Sequence, residues 1–204
     1  MKENLKILIT GGPCAGKTES LQHIKAYLID LGYNVYICNE IPTMLISNGI
    51  DTQKIDKLDF QKLVIQLQIE MQKIYENVLS LSKSNKNIVL FDGSPIDCLK
   101  FITKKEFDDI VSNYGLTYDT ILNSYNGVIH LETVAKKFPE LYTTSNNSAR
   151  KSDVNEAVNR DNRLIEAYKD HPNRVIISSY RNLDEKRISI QDGMAKIINN
   201  LQTN

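Results

Sequence analysis

Leu5-Lys6-Ile7-Leu8-Ile9-Thr10-Gly11-Gly12-Pro13-Cys14-Ala15-Gly16-Lys17-Thr18 is the stretch on which the reading of this chain turns. Its first six residues form an apolar run of the kind that becomes a buried strand. The next eight satisfy G-x-x-x-x-G-K-[ST] at every required position. Beyond them Leu21, Ile24, Leu28 and Leu31 recur at helical spacing, so strand, loop and helix arrive in the order a phosphate loop requires. The chemistry is one of charge: glycines let successive backbone N–H groups turn inward around phosphate oxygens, and the helix that starts near Gly16 adds its positive end. Lys17 is expected to reach the β- and γ-phosphates of a nucleoside triphosphate, the Thr18 hydroxyl to ligate Mg²⁺, and Gly11 through Glu19 to line the nucleotide. Cys14 sits inside the loop at a position whose job needs no thiol.

The 204 residues are most simply one domain spanning 1–204, with 41% hydrophobic and 25% charged residues. Lys plus Arg and Asp plus Glu each number 25, so no overall basic field exists to attract nucleic acid or an anionic membrane. No apolar run approaches the ~18 residues of a membrane span, and the N-terminus enters a strand without a signal-peptide pattern. The cysteines number three and lack paired spacing, which fits neither a disulfide framework nor a zinc site. A cytoplasmic, reducing compartment is expected. The sequence carries no signal for an oligomeric state.

Periodicity gives strands at Leu5–Thr10, Asn34–Cys38, Ile88–Phe91, Gly127–Leu131 and Arg174–Ser178. A long helix from about Asp59 to Leu81 carries Phe60, Leu63, Val64, Leu67, Met71, Ile74, Tyr75 and Val78 on its expected inward face. A closing helix runs from about Asp184 to Leu201, with Ile190, Met194, Ile197 and Leu201 on one side. Strands alternating with helices argue for an α/β fold, a parallel sheet covered on both faces. Thr143–Ser152 is polar and turn-rich, and the region of about 143–163 is expected to act as a lid.

The candidate chemistry lies at strand ends. Ile88-Val89-Leu90-Phe91-Asp92 has the pattern of a strand whose terminal carboxylate holds magnesium through water; alternatively Asp92-Gly93 is an ordinary turn. Gly93 stands where hydrolytic ATPases often carry a water-activating Glu, which tilts the reading toward transfer to a substrate. Glu40 follows the second strand and would point into the same crevice, where a carboxylate can accept the proton of an attacking hydroxyl. It could equally cap a helix before Pro42. Asp97 is either a second acid of an acceptor pocket or surface charge. Arg150, Lys151, Arg160 and Arg163 form a basic cluster suited to closing over a transferring phosphate, or else a solvated face paired with Asp161 and Glu166. Asp153 with Glu156 fits a capping box at the start of that helix. Arg181, in the loop after the fifth strand, lies where a nucleobase is expected. His23, His130 and His171 have no ligand spacing and read as structural or surface residues.

The combination of TGGPCAGKT, Glu40, Asp92, the NNSAR stretch and the later EAYKDHPNRVIISS resembles small AAA-labelled P-loop proteins. These are related to the ribosylnicotinamide kinase domain of the bacterial NAD-biosynthesis regulator and, more distantly, to thymidylate and deoxynucleoside kinases. The likeness runs from about Leu5 to Ile198. It implies a three-layer αβα kinase fold with sheet order 2-3-1-4-5, a magnesium–nucleotide site at Lys17 and Thr18, and a lid carrying Arg150. Kinase relatives usually show Asp-Arg after the third strand, where this chain has Asp92-Gly93-Ser94. The expected activity is Mg²⁺-dependent phosphoryl transfer from ATP or GTP to a small, hydroxyl-bearing, nucleoside-like acceptor. The alternative is a regulatory ATP- or GTP-binding module with slow hydrolysis. A mechanical ATPase is disfavoured, because little chain follows Ser178 to build a helical lid domain.

Overall fold

A computed structural model describes residues 3–142 and 153–203. Thr143–Ser152, which includes the expected lid segment with Arg150 and Lys151, lies outside the described residues. Strands β1 (Glu3–Gly11), β2 (Asn34–Cys38), β3 (Lys86–Asp92), β4 (Gly127–Leu131) and β5 (Arg174–Ile177) form one parallel sheet in the order 2-3-1-4-5. The phosphate-loop strand is therefore central, with Leu5 opposite Ile88 of β3 and Ile9 opposite Ile129 of β4.

The strands read as apolar runs because both faces of the sheet are covered. On one face α1 (Lys17–Asp30) and α7 (Leu183–Gln202) bury Leu21, Ile24, Leu28, Met194 and Ile197 against Ile7, Ile9 and Ile129. On the other, Leu8, Val89, Phe91 and Val128 meet the helices α3 (Lys57–Leu81), α4 (Lys104–Ser112), α5 (Tyr118–Leu122) and α6 (Val154–Ala167). The short α2 (Ile41–Ser47) follows β2, and a 3-10 helix at Pro95–Lys100 follows β3. Phe91 anchors the second core with edge-on contacts to Tyr75 and Tyr125 at 5.8 and 5.7 Å between ring centres.

Two helix faces differ from the sequence expectation. Leu31, expected on the inner stripe of α1, is the exposed residue that ends that helix. On α3, Leu63 is 44% and Ile74 52% exposed, while Gln61, Ile65, Gln68 and Ile69 are buried. The helix is rotated relative to its apolar stripe, because the edge it turns inward borders a polar cleft. Two glutamines, Gln61 and Gln68, line that border.

Candidate functional site

The phosphate loop connects β1 to α1, and its two ends are built differently. Gly16 takes a left-handed conformation (φ 69°, ψ 31°) as the N-cap of α1, with no side chain capping the helix. An α-helix start of this kind, with no side-chain cap among the described residues, presents the positive end of the helix dipole at the loop. Gly12 donates its N–H to Asp161 Oδ1 at 2.8 Å, and a Cβ built on Gly12 would lie 2.6 Å from that oxygen. Only glycine permits the approach. Cys14 stands between these points at φ 56°, half-buried, in a conformation that costs a non-glycine residue about 1 kcal/mol.

Asp161 is fully buried and gathers four groups: the Gly12 N–H, the Thr133 N–H at 3.3 Å, His130 Nε2 at 3.0 Å and the Lys136 ammonium at 2.6 Å. Burial alone would raise its carboxyl, but the hydrogen bond and charge of His130, together with Lys136, outweigh it and hold the group below the ordinary carboxylate range. Thr133 Oγ1 adds a bond to the Pro13 carbonyl. Asp161 and Glu166 are therefore not partners of the neighbouring arginines, as the sequence allowed. Asp161 points inward to the loop, and Glu166 pairs with Lys169. His130 is a member of this network.

Beyond the carboxyl ends of β2 and β3, Glu40 and Asp92 border one cleft, and Lys17 at the start of α1 reaches toward Glu40 there. Lys17 Nζ is 3.7 Å from Glu40 Oε1, and Glu40 also accepts from Thr43 Oγ1. Asp92 is 6% exposed, and its Oδ1 is buried without a hydrogen-bond partner among the described residues. Burial pushes its carboxyl up to about 6. Lys17 opposes the rise, Glu40 and Asp97 reinforce it, and Lys100 opposes it again. A buried, underbonded carboxylate beside a lysine and the phosphate loop fits a divalent cation, which would supply the missing positive charge. Among the described residues no cluster of three or more His, Cys, Asp or Glu could hold a metal by itself.

Asp97 is buried rather than surface charge. Its Oδ1 accepts from Thr10 Oγ1 at 2.8 Å and from the Tyr168 hydroxyl at 2.5 Å, and its Oδ2 faces Gly93 at the cleft. The cleft is closed from α3 by Gln61, Val64 and Gln68, and Gln68 Oε1 is buried with no hydrogen-bond partner among the described residues. These glutamines were missed in the sequence. Two glutamines one heptad apart, flanking the apolar pair Val64 and Ile65, were the available signal. Lys100 and Phe101 form the rim, where the Arg160 guanidinium lies 4.8 Å from the Phe101 ring centre and pairs with Glu156. Asp153 caps α6 through the Glu156 N–H, while the Glu156 carboxylate goes to Arg160 rather than completing a capping box. Arg163 donates to the carbonyls of Lys100 at 3.2 Å and Ile102 at 2.9 Å, bracing the rim. On the α1 and α7 side of the loop Thr18 is exposed in the first turn of α1, Glu19 pairs with Arg187 at 3.2 Å, and Arg181 stacks on Phe138 and pairs with Glu140. The buried thiols Cys38 and Cys98 are each pushed up to about 12 by desolvation and are inert.

A family model described as an AAA domain matches residues 6–186. The chain belongs to that AAA domain family. No curated protein sequence matches it. Among solved structures, this AAA domain is similar to the thymidylate kinase from Ehrlichia chaffeensis, with a TM-score of 0.65 at 15% identity, over 96% of this chain and 99% of that one. It therefore has the fold of a P-loop nucleotide kinase. No helix among the described residues is long and apolar enough to cross a membrane.

Proposed function

We propose that this protein binds a magnesium–nucleoside triphosphate and transfers its terminal phosphoryl group to a hydroxyl of a small, nucleoside-like acceptor. The observation that carries the reading is the convergence of Lys17, Glu40 and Asp92 on one cleft, next to loop amides that no side chain caps. Lys17 neutralises the β- and γ-phosphates, and Thr18 and Asp92 hold the cation, Asp92 through water. When bound, Mg²⁺ supplies charge neutralisation of the phosphates. Glu40 orients the acceptor hydroxyl and takes its proton as the oxygen bonds to phosphorus. Asp97, fixed by Thr10 and Tyr168, presents its second oxygen to the acceptor. Gln61 and Gln68 offer amide donors and acceptors to a polar acceptor edge. Arg160 at the rim and Arg150 in the segment before α6 meet the transferred group, and Arg163 positions the rim beneath them. Arg181 lies where the base is expected.

The test is incubation with Mg–ATP or Mg–GTP and a panel of nucleosides, following ADP or GDP by chromatography. Diphosphate formed in step with a phosphorylated acceptor is the expected result. Slow diphosphate release that is indifferent to every acceptor contradicts phosphoryl transfer to a nucleoside and favours a regulatory nucleotide-binding module.

A further inference from the structure

We infer that Lys186 is a second phosphate-binding lysine of the loop, supplied by α7 and directed at the phosphates that remain with the nucleotide after transfer; this rests on the nucleotide reading above. Lys186 lies in the first turn of α7, a helix started by Asn182, whose side chain accepts from the Asp184 N–H at 2.8 Å. From there its ammonium crosses to the phosphate loop and donates to the Ala15 carbonyl. Its Nζ is 2.5 Å from the place a Cβ on Gly16 would take. The bare Gly16 thus serves two ends, the left-handed turn and the room for this ammonium.

The surroundings leave that charge undercompensated. Glu19, the carboxylate that acts on Lys186, is itself paired with Arg187 at 3.2 Å, and Lys17 adds a second ammonium to the same loop. Desolvation foremost, with Lys17 opposing the help from Glu19, holds the Lys186 ammonium below its usual range. Two cations converging on a short loop beside an uncapped helix N-terminus form a site for a polyanion.

The side from which each lysine enters divides their work. Lys17 faces Glu40 and the acceptor cleft, where the group to be transferred must lie. Lys186 comes from α7, beside Glu19 and just past the 179–182 loop, and it lines a different depression from the one that Glu40 and Asp92 line. It therefore meets the oxygens nearer the nucleoside, leaving the Ala15 carbonyl to do so. A ligand role of this kind acts alike on a triphosphate and a diphosphate.

Calorimetric titration of wild type, Lys186→Met and Lys186→Arg with Mg–ATP and with Mg–ADP tests the inference, alongside the melting temperature of each nucleotide-free protein. The methionine variant is expected to lose about tenfold in affinity for both nucleotides, as for one charge-assisted bond, with the arginine variant recovering most of it. The nucleotide-free melting temperature is expected to stay within about 2 °C of wild type. Methionine-variant affinities equal to wild type overturn the assignment, and a loss confined to ATP overturns its placement on the retained phosphates. A large fall in the nucleotide-free melting temperature that arginine does not restore makes the residue structural and overturns it too. Wild type that takes up neither Mg–ATP nor Mg–GTP contradicts the nucleotide reading itself, a failure separate from that of Lys186.

Discussion

Gly12 and Pro13 are pinned from beneath by Asp161 and Thr133, whereas Gly16 and Thr18 stand exposed, with the Lys186 ammonium on the neighbouring Ala15 carbonyl. The first half of the loop is part of the protein's interior. The second half opens to the surface at Gly16 and Thr18, where no side chain caps the helix that starts there. The contrast shows how one short loop can be rigid and receptive together: Thr133 in the turn after β4 and Asp161 of α6 fix where the loop stands, and the helix start beyond it carries no side-chain cap.

Breaking the supported half has the largest expected effect. Asp161→Ala leaves the Gly12 N–H, His130 and Lys136 without their shared acceptor, and removal of one partner from a buried charged network costs about 3–5 kcal/mol. Chemical denaturation should show that loss, and a variant as stable as wild type removes Asp161 from the support. The open half answers in the opposite currency. Lys17→Ala should cut turnover by about 10²–10³-fold with the denaturation midpoint unchanged, since it deletes one charge from the reacting end only.

Asp92→Asn sharpens the same division at the cleft. The carboxyl has an ordinary value of 3.8 but is pushed to about 6 in the fold, so between those values the folded chain holds more protons than the unfolded one. Stability then falls as pH rises through this window, by about 2–3 kcal/mol in all, and the cost persists above it. The asparagine variant should be more stable than wild type at pH 8, lack that slope, and transfer phosphate poorly. A wild type whose stability is flat from about pH 4 to 6 apart from ordinary carboxylates contradicts the burial account. The smallest effect belongs to the junction. Cys14→Gly should gain about 0.5 kcal/mol, the relief of the left-handed turn less the entropy of glycine, and a loss there means that the thiol packs usefully.

Much of this architecture was readable from residues alone. All five strands and the loop announce themselves, because a strand covered on both faces has to be apolar and the loop's glycines have no substitute. Glu40 and Asp92 follow from strand-end position, since chain order fixes which residues emerge at the carboxyl edge. The support is less legible. Asp161 sits between Arg160 and Asn162 in a polar stretch, and nothing local tells it from a solvent-facing acid; its partners come from the phosphate loop, β4 and the turn after β4. Lys186 is brought to Ala15 across most of the chain, again by tertiary packing. On α3 the hydrophobic stripe misled for Leu63 and Ile74, because hydropathy cannot foresee that an inward edge borders a polar cleft.

Residue-resolved amide hydrogen exchange of the loop, with and without saturating Mg–ATP, tests the division most directly. Protection that rises at Gly16 through Thr18, while the Gly12 amide is protected in both states, is the predicted result. Unchanged exchange from Gly16 to Thr18 at saturating nucleotide would contradict the seating of phosphates in that half of the loop.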